Sequence, residues 1–222
     1  MREFLLSNGP FIAALLAAGE LFFGILLAVH YSRTGKQILL LMAIVSFALC
    51  FDASVLACGS FLPDGLLRPL SQMRFILHGA CIPLLLPLCA EALGWKETAK
   101  KAVWFVTLLI MAGGSISGLL TKLEPSSAAG ITRYLSGEGT PAFAERFLRV
   151  LSYGTVVPLI ITGIIVWIRR KTPFLFLAGF LMFAFSALGP ATGNFDLIFL
   201  ISMFGELFML LFYTIFEKRH LE

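Results

Sequence analysis

The sequence predicts an all-α, polytopic bundle of seven transmembrane helices, and three observations predict it. The 222 residues are 59% hydrophobic and only 14% charged, with a mean hydropathy of +0.92. A soluble fold of this size cannot hide that much apolar surface, 22 phenylalanines included. Apolar runs near membrane-crossing length recur along the whole chain, a hydrocarbon core of about 30 Å needing about 20 helical residues. Lys and Arg collect between alternate runs, the pattern of a threaded membrane chain.

The runs fall at about 11–30, 38–62, 71–92, 102–120, 149–168, 173–189 and 195–216, in one transmembrane domain covering 1–222. Helix is the default for each, because lipid leaves an exposed backbone unsatisfied. The first follows Asn8-Gly9-Pro10 and has no small-residue cleavage site after it, so it reads as a retained span. The third contains RFILHGACIPLL, residues 74 to 85, with Arg74 and His78 among apolar neighbours. LGWKETAKK precedes the fourth and suits a membrane interface, with Trp95 at headgroup level. Residues 121–148 form the longest loop, and AFAERFLRVL at its end reads either as a plain connector or as a helix running into the fifth span. The sixth run is the shortest and ends at Pro190 and Gly193. Asn194 and Asp196, in GPATGNFD, suit a turn and helix cap before the seventh.

Orientation follows from the basic residues. One side receives Arg33, Lys36, Lys96, Lys100, Lys101, Arg169, Arg170, Lys171, Lys218 and Arg219. The other receives Arg2, Arg68, Arg74, Lys122, Arg133, Arg146 and Arg149, four of them in the long loop or just past it, where charge counts for less. The first side is therefore cytoplasmic, the N-terminus and the 121–148 loop external, and the C-terminus cytoplasmic. The chain is integral to a membrane, the cytoplasmic one in a bacterium. A net charge of +4 marks loop topology here and predicts no nucleic-acid partner.

Ionisable groups inside spans are costly and usually face a bundle interior or a partner. Five stand out: Glu20 in the first span, Asp52 in the second, Arg74 and His78 in the third, and Glu206 in the seventh. On the threading above, all five lie from the midplane outward, which suggests a funnel open to the external side and narrowing toward Glu20 and Glu206. Arg74, His78, Cys81 and Leu85 are spaced four, three and four, so they share one helical face. Asp52 is the natural partner for that face. Gly79 and Pro83 loosen the helix beside it. Each group also has a plain alternative. Arg74 can snorkel to headgroups, Asp52 with Arg74 can be a structural ion pair, and His78 can be a hydrogen-bonded core residue.

Other features carry less. Cys50, Cys58, Cys81 and Cys89 all fall inside the runs and read as small hydrophobes. His30 beside Tyr31 suits an interface. Met203 and Met209 share a face with Glu206 and read as packing. Gly114 and Gly118 form a small-residue face open to another helix, from this chain or from a second copy in a homo-oligomer.

Motifs of known machinery are absent: no Gly-rich phosphate loop, no GxSxG elbow, no HExxH. No lysine lies in a span core, which excludes a retinal Schiff base. Three readings remain. The first is binding or translocation of a small solute, cation or proton, with Glu20, Asp52, Arg74, His78 and Glu206 as substrate-binding residues. The second is an intramembrane enzyme acting on outer-leaflet lipid, with His78, Glu206 and Asp52 catalytic. A metal on His78 and carboxylates would suit that enzyme, although the sequence names neither a metal nor a cofactor. The third is a seven-helix sensor or assembly partner.

Overall fold

A computed structural model gives the fold, and it describes residues 2–193 and 197–221. Asn194 and Asp196, expected as turn and cap, lie outside the described residues. In chain order come α1 (Arg2–Ser7), α2 (Gly9–Thr34), α3 (Gln37–Cys58), α4 (Asp64–Cys81), a 3-10 turn (Ile82–Leu84), α5 (Leu85–Ala92) and α6 (Glu97–Leu120). Two strands follow, β1 (Leu123–Ala128) and β2 (Ile131–Ser136), then α7 (Ala142–Arg170), α8 (Phe174–Thr192) and α9 (Ile198–Leu221).

The helices make a multi-pass membrane bundle. Six reach both the length and the apolarity of a membrane span: Gly9–Thr34, Gln37–Cys58, Asp64–Ala92, Glu97–Leu120, Ala142–Arg170 and Ile198–Lys218. The run expected at 173–189 gives a shorter apolar helix, Phe174–Leu188, so length and composition alone support six spans among the described residues.

Local chemistry sets the ends. Pro10 opens α2, where its missing N–H costs nothing. Gly35 closes α2 at φ 67°, its N–H donating to the Tyr31 carbonyl over 2.8 Å. Pro83 cannot donate to the Gly79 carbonyl, and the chain tightens there into the 3-10 turn between α4 and α5.

Neighbouring helices pack in sequence around a ring, and α2 closes it against α9. Glycines set the closest approaches. Gly79 of α4 faces Gly114 of α6, and Gly118 faces the Phe75 backbone. That pair is antiparallel, and Gln72 Nε2 donates to the Gly118 carbonyl over 2.5 Å. The face formed by Gly114 and Gly118 is thus occupied within the chain, and association of two copies would need another surface. Gly163 of α7 meets the Phe176 backbone of α8, and Gly179 meets Ile160, an antiparallel match again.

The 121–148 segment, expected as the longest loop, carries two strands. β1 and β2 pair as an antiparallel hairpin, with Ala128 opposite Ile131. Ala129 (φ 54°) and Gly130 (φ 72°) make the two-residue turn, both left-handed as the twist of such a hairpin requires. The hairpin lies on one end of the bundle. Ser60 Oγ donates to the Gly130 carbonyl and accepts from the Thr132 N–H, and the Tyr134 hydroxyl donates to Asp64. Ala129 and Ile131 are buried with Ile12, Leu16, Leu56 and Leu200. From Ala142 a single helix runs without a break to Arg170.

At the opposite end, the larger core packs Leu27, Leu39, Met42, Leu85, Leu88, Met209, Tyr213 and Phe216, each 0 or 1% exposed. This apolar plug fills the middle of the ring away from the hairpin.

Candidate functional site

Four helices of the ring bring the singular polar residues together. Asp52 lies six residues from the end of α3 that meets the hairpin, and Arg74 lies two turns above the break at Pro83. They join: Arg74 Nε donates to Asp52 Oδ1 over 2.7 Å, and its terminal nitrogen to Oδ2 over 3.3 Å. Both side chains are part-buried, at 14% and 25% exposure, so the attraction is weakly screened.

A cavity of about 310 Å³ opens on this pair, lined also by Leu56, Phe75, His78, Leu148, Phe199, Ser202, Met203 and Glu206. A second lobe of about 380 Å³ shares His78, Phe199, Ser202 and Glu206 with it. Its other walls are mostly apolar: Ile82, Tyr153, Val156, Met182, Phe183 and Ile198, with Arg149 and Ser186. The two lobes form one cleft with a charged end and a greasy end, and His78 and Glu206 stand where they join.

The cleft reaches the surface at Arg149, Tyr153, Phe183 and Ser186, all exposed. These residues belong to α7 and α8, which touch closely at Gly163 and Gly179 and leave the lobe between them beyond. The hairpin covers the axis of the ring instead. Arg133 of β2 sets its guanidinium 3.7 Å over the ring of Phe199, a wall of both lobes. The funnel expected from the sequence, open outside and narrowing toward Glu20 and Glu206, gives way to a cleft beside the hairpin whose lining includes Glu206 but not Glu20. The cause is the folded 121–148 segment, which sits on α2, α3, α4 and α9.

Glu20 takes a different position from the other four. Its side chain is fully buried, it lines neither lobe, and neither carboxyl oxygen has a hydrogen-bond partner. It nonetheless lies within Coulombic reach of Glu206 and Asp52. Ser46 Oγ donates to the Glu20 main-chain carbonyl over 2.6 Å, which locks α2 to α3 at that level. An unpartnered carboxyl in an apolar interior calls for a proton, a cation or a donor, since burying it charged and alone costs several kcal/mol, on the order of 5.

Sequence spacing could have found Ser202, which precedes Glu206 by one turn on the same face of α9. Met203 also lines the cleft, whereas Met209 belongs to the opposite core. Arg149, Tyr153 and Ser186 had no sequence signal, because nothing local tells where α7 and α8 part. Among the described residues, no three of His, Cys, Asp and Glu stand close enough to hold a metal ion. His78 makes no side-chain hydrogen bond among the described residues and is free to serve a ligand in either lobe.

The site thus sets the Arg74–Asp52 pair and the Glu206 carboxyl at one end of an apolar chamber, with Arg149 at its mouth. No protein family, no curated protein and no solved structure matches this chain.

Proposed function

We propose that this membrane protein takes a small amphiphilic solute, with a cationic or hydrogen-bond-donating head, into a one-sided cleft within the bilayer. The observation that carries the reading is the charge balance. Arg74 is engaged by Asp52, and the other guanidinium in the lining, Arg149, is paired with Glu145 at the mouth. The carboxyl left facing the cavity is that of Glu206, which favours an amine or another donor. The apolar lobe of Tyr153, Val156, Met182 and Phe183 suits the body of such a solute.

The threading belongs to the same proposal. α8 has 19 residues, about 28 Å of helix. It packs antiparallel to both α7 and α9, with Gly163 against Phe176 and Gly205 against Phe185, which supports counting it as a seventh span. The distribution of basic residues supports a threading with the hairpin and the mouth of the cleft outside and the C-terminus in the cytoplasm.

Binding is favoured over transport by the plug of Leu85, Leu88, Met209 and Tyr213, which closes the cleft toward the other end. A catalytic use on outer-leaflet lipid is the second reading, favoured by a mouth between two helices facing lipid. His78 and Glu206 would then be its acid and base.

The test is ligand-dependent stabilisation of the purified protein. Dodecylamine and dodecanoate share a tail and differ in head. At a concentration 100-fold above its dissociation constant, the amine should raise stability by about 2.7 kcal/mol. Glu206→Gln should remove that gain. Equal stabilisation by the two heads, or a gain that survives Glu206→Gln, would sink the reading.

A further inference from the structure

A second pocket lies on the outer surface of the bundle, far from Glu206 in the chain's architecture and independent of it. α6 and α7 touch through Gly113 and Phe147 near the hairpin end. Toward the other end they part, and α5 forms the floor between them. The groove holds about 520 Å³, within the range of sites that take small molecules. Its floor is Cys89, Ala90 and Thr162, all buried, and its rims are Val106 and Ile161, both about half exposed. Thr162 carries the one hydroxyl in the lining.

One end of this groove is marked by an aromatic residue, with two cations beside the lining in sequence or on the same helical face. Trp95 lines it and is 46% exposed, in the position of a membrane-interface tryptophan. Lys96 follows Trp95, whereas Lys101 falls on the face of α6 opposite the lining residues Ala102, Val103 and Val106. On α7, Ile161, Ile165 and Arg169 are spaced four apart, so Arg169 stands one turn beyond the groove on its own face. Lys100 differs: it is held by Glu91 at 2.8 Å and Glu97 at 3.1 Å. Among the described residues, no ion pair engages Lys96, Lys101 or Arg169.

We infer that this groove is a binding site for one anionic phospholipid, its acyl chain along Cys89 and Ala90 and its phosphate at Lys96 and Arg169. The apolar cleft fits a chain, and the surplus positive charge at its end selects the headgroup. A flat helix face would hold lipid without choice. A floored groove with cations at one end discriminates.

Photolabelling tests this on the wild-type protein in nanodiscs. Phosphatidylglycerol and phosphatidylcholine, each with a mid-chain diazirine, are supplied at equal trace amounts, and adducts are mapped by peptide mass spectrometry. The expected result is adducts concentrated on α5, α6 and α7 around the groove, at least five-fold more with phosphatidylglycerol. Reversing Lys96 and Arg169 to Glu should bring the two lipids to parity. Unlabelled phosphatidylglycerol should compete on the wild type, which keeps the test decisive if the double variant fails to fold. Adducts spread evenly over all lipid-facing helices, or equal labelling by the two lipids on the wild type, would overturn the site. The outcome is independent of amine binding at Glu206.

Discussion

Arg74 and Asp52 meet through two nearly parallel hydrogen bonds, 2.7 and 3.3 Å, across the gap between α4 and α3. Twenty-two residues separate them in sequence, and the pair fixes the charged wall of the cleft. Its two-point geometry resists rotation of either side chain.

Breaking that pair from one side should therefore be costly. Asp52→Asn leaves a part-buried guanidinium without its counter-charge. The expected loss is near the lower end of about 3–5 kcal/mol. Arg74→Gln should cost a similar amount, and the double variant should lose less than the sum. Denaturant unfolding of the four proteins measures the coupling, and strict additivity would show that the two residues do not stabilise each other.

The thiols report orientation. Cys58 is exposed at the end of α3 beneath the hairpin, Cys50 and Cys81 are half-buried, and Cys89 is buried. A membrane-impermeant maleimide applied to intact cells should label Cys58 alone, and Cys58→Ser should abolish the signal. Labelling that needs permeabilised cells would place the hairpin in the cytoplasm and reverse the threading.

Two glycines should respond in opposite ways. A Cβ on Gly79 would run into the Gly114 carbonyl, so Gly79→Ala must push α4 off α6. Overpacking of this kind costs about 1–3 kcal/mol, and Arg74 and His78 move with the helix. Gly154 of α7 has open space where a Cβ would go. Gly154→Ala should be neutral or gain up to about 1 kcal/mol. Equal effects on the melting temperature would refute the close α4–α6 approach.

Tyr134 ties β2 to the start of α4 by donating its hydroxyl to Asp64. That hydrogen bond, ahead of burial and the negative charge of Asp64, pushes the phenol above its ordinary value near 10. The stabilisation it gives is complete below the unfolded value and fades as pH rises through the folded one. The hairpin should thus loosen only in strong alkali, seen as faster proteolysis within 121–141. Tyr134→Phe should show that faster cleavage already at neutral pH, with no further alkaline step. A variant cleaved no faster than wild type would mean the hairpin is held elsewhere.

The helices were legible because lipid imposes a length, and runs of about 20 apolar residues have few other readings. The short α8 was foreshadowed by Pro190 and Gly193. The hairpin was not legible: β1 carries Pro125 and two serines, and its turn is Ala129-Gly130 without the Asn or Asp that usually announces one. The meeting of Asp52 with Arg74 was readable because few other intramembrane charges compete for either. The withdrawal of Glu20 from the cleft was not, since α2 is apolar on nearly every side and sequence does not fix its rotation. The pairing of Glu91 with Lys100 across the α5–α6 turn also escaped, because both stand near helix ends where charge is unremarkable.

The closure of the ring by α2 against α9 sets an order of assembly. Glu20 enters the bilayer well before Glu206. Until α9 arrives, the nascent bundle is an open arc with the polar seam of α2 and α3 along its edge. A ribosome stalled before Ile198 would leave that edge facing lipid or whatever insertion factor attends it. Full burial of Glu20 therefore waits on the delivery of α9, whose Leu207 packs on Gly19 beside it.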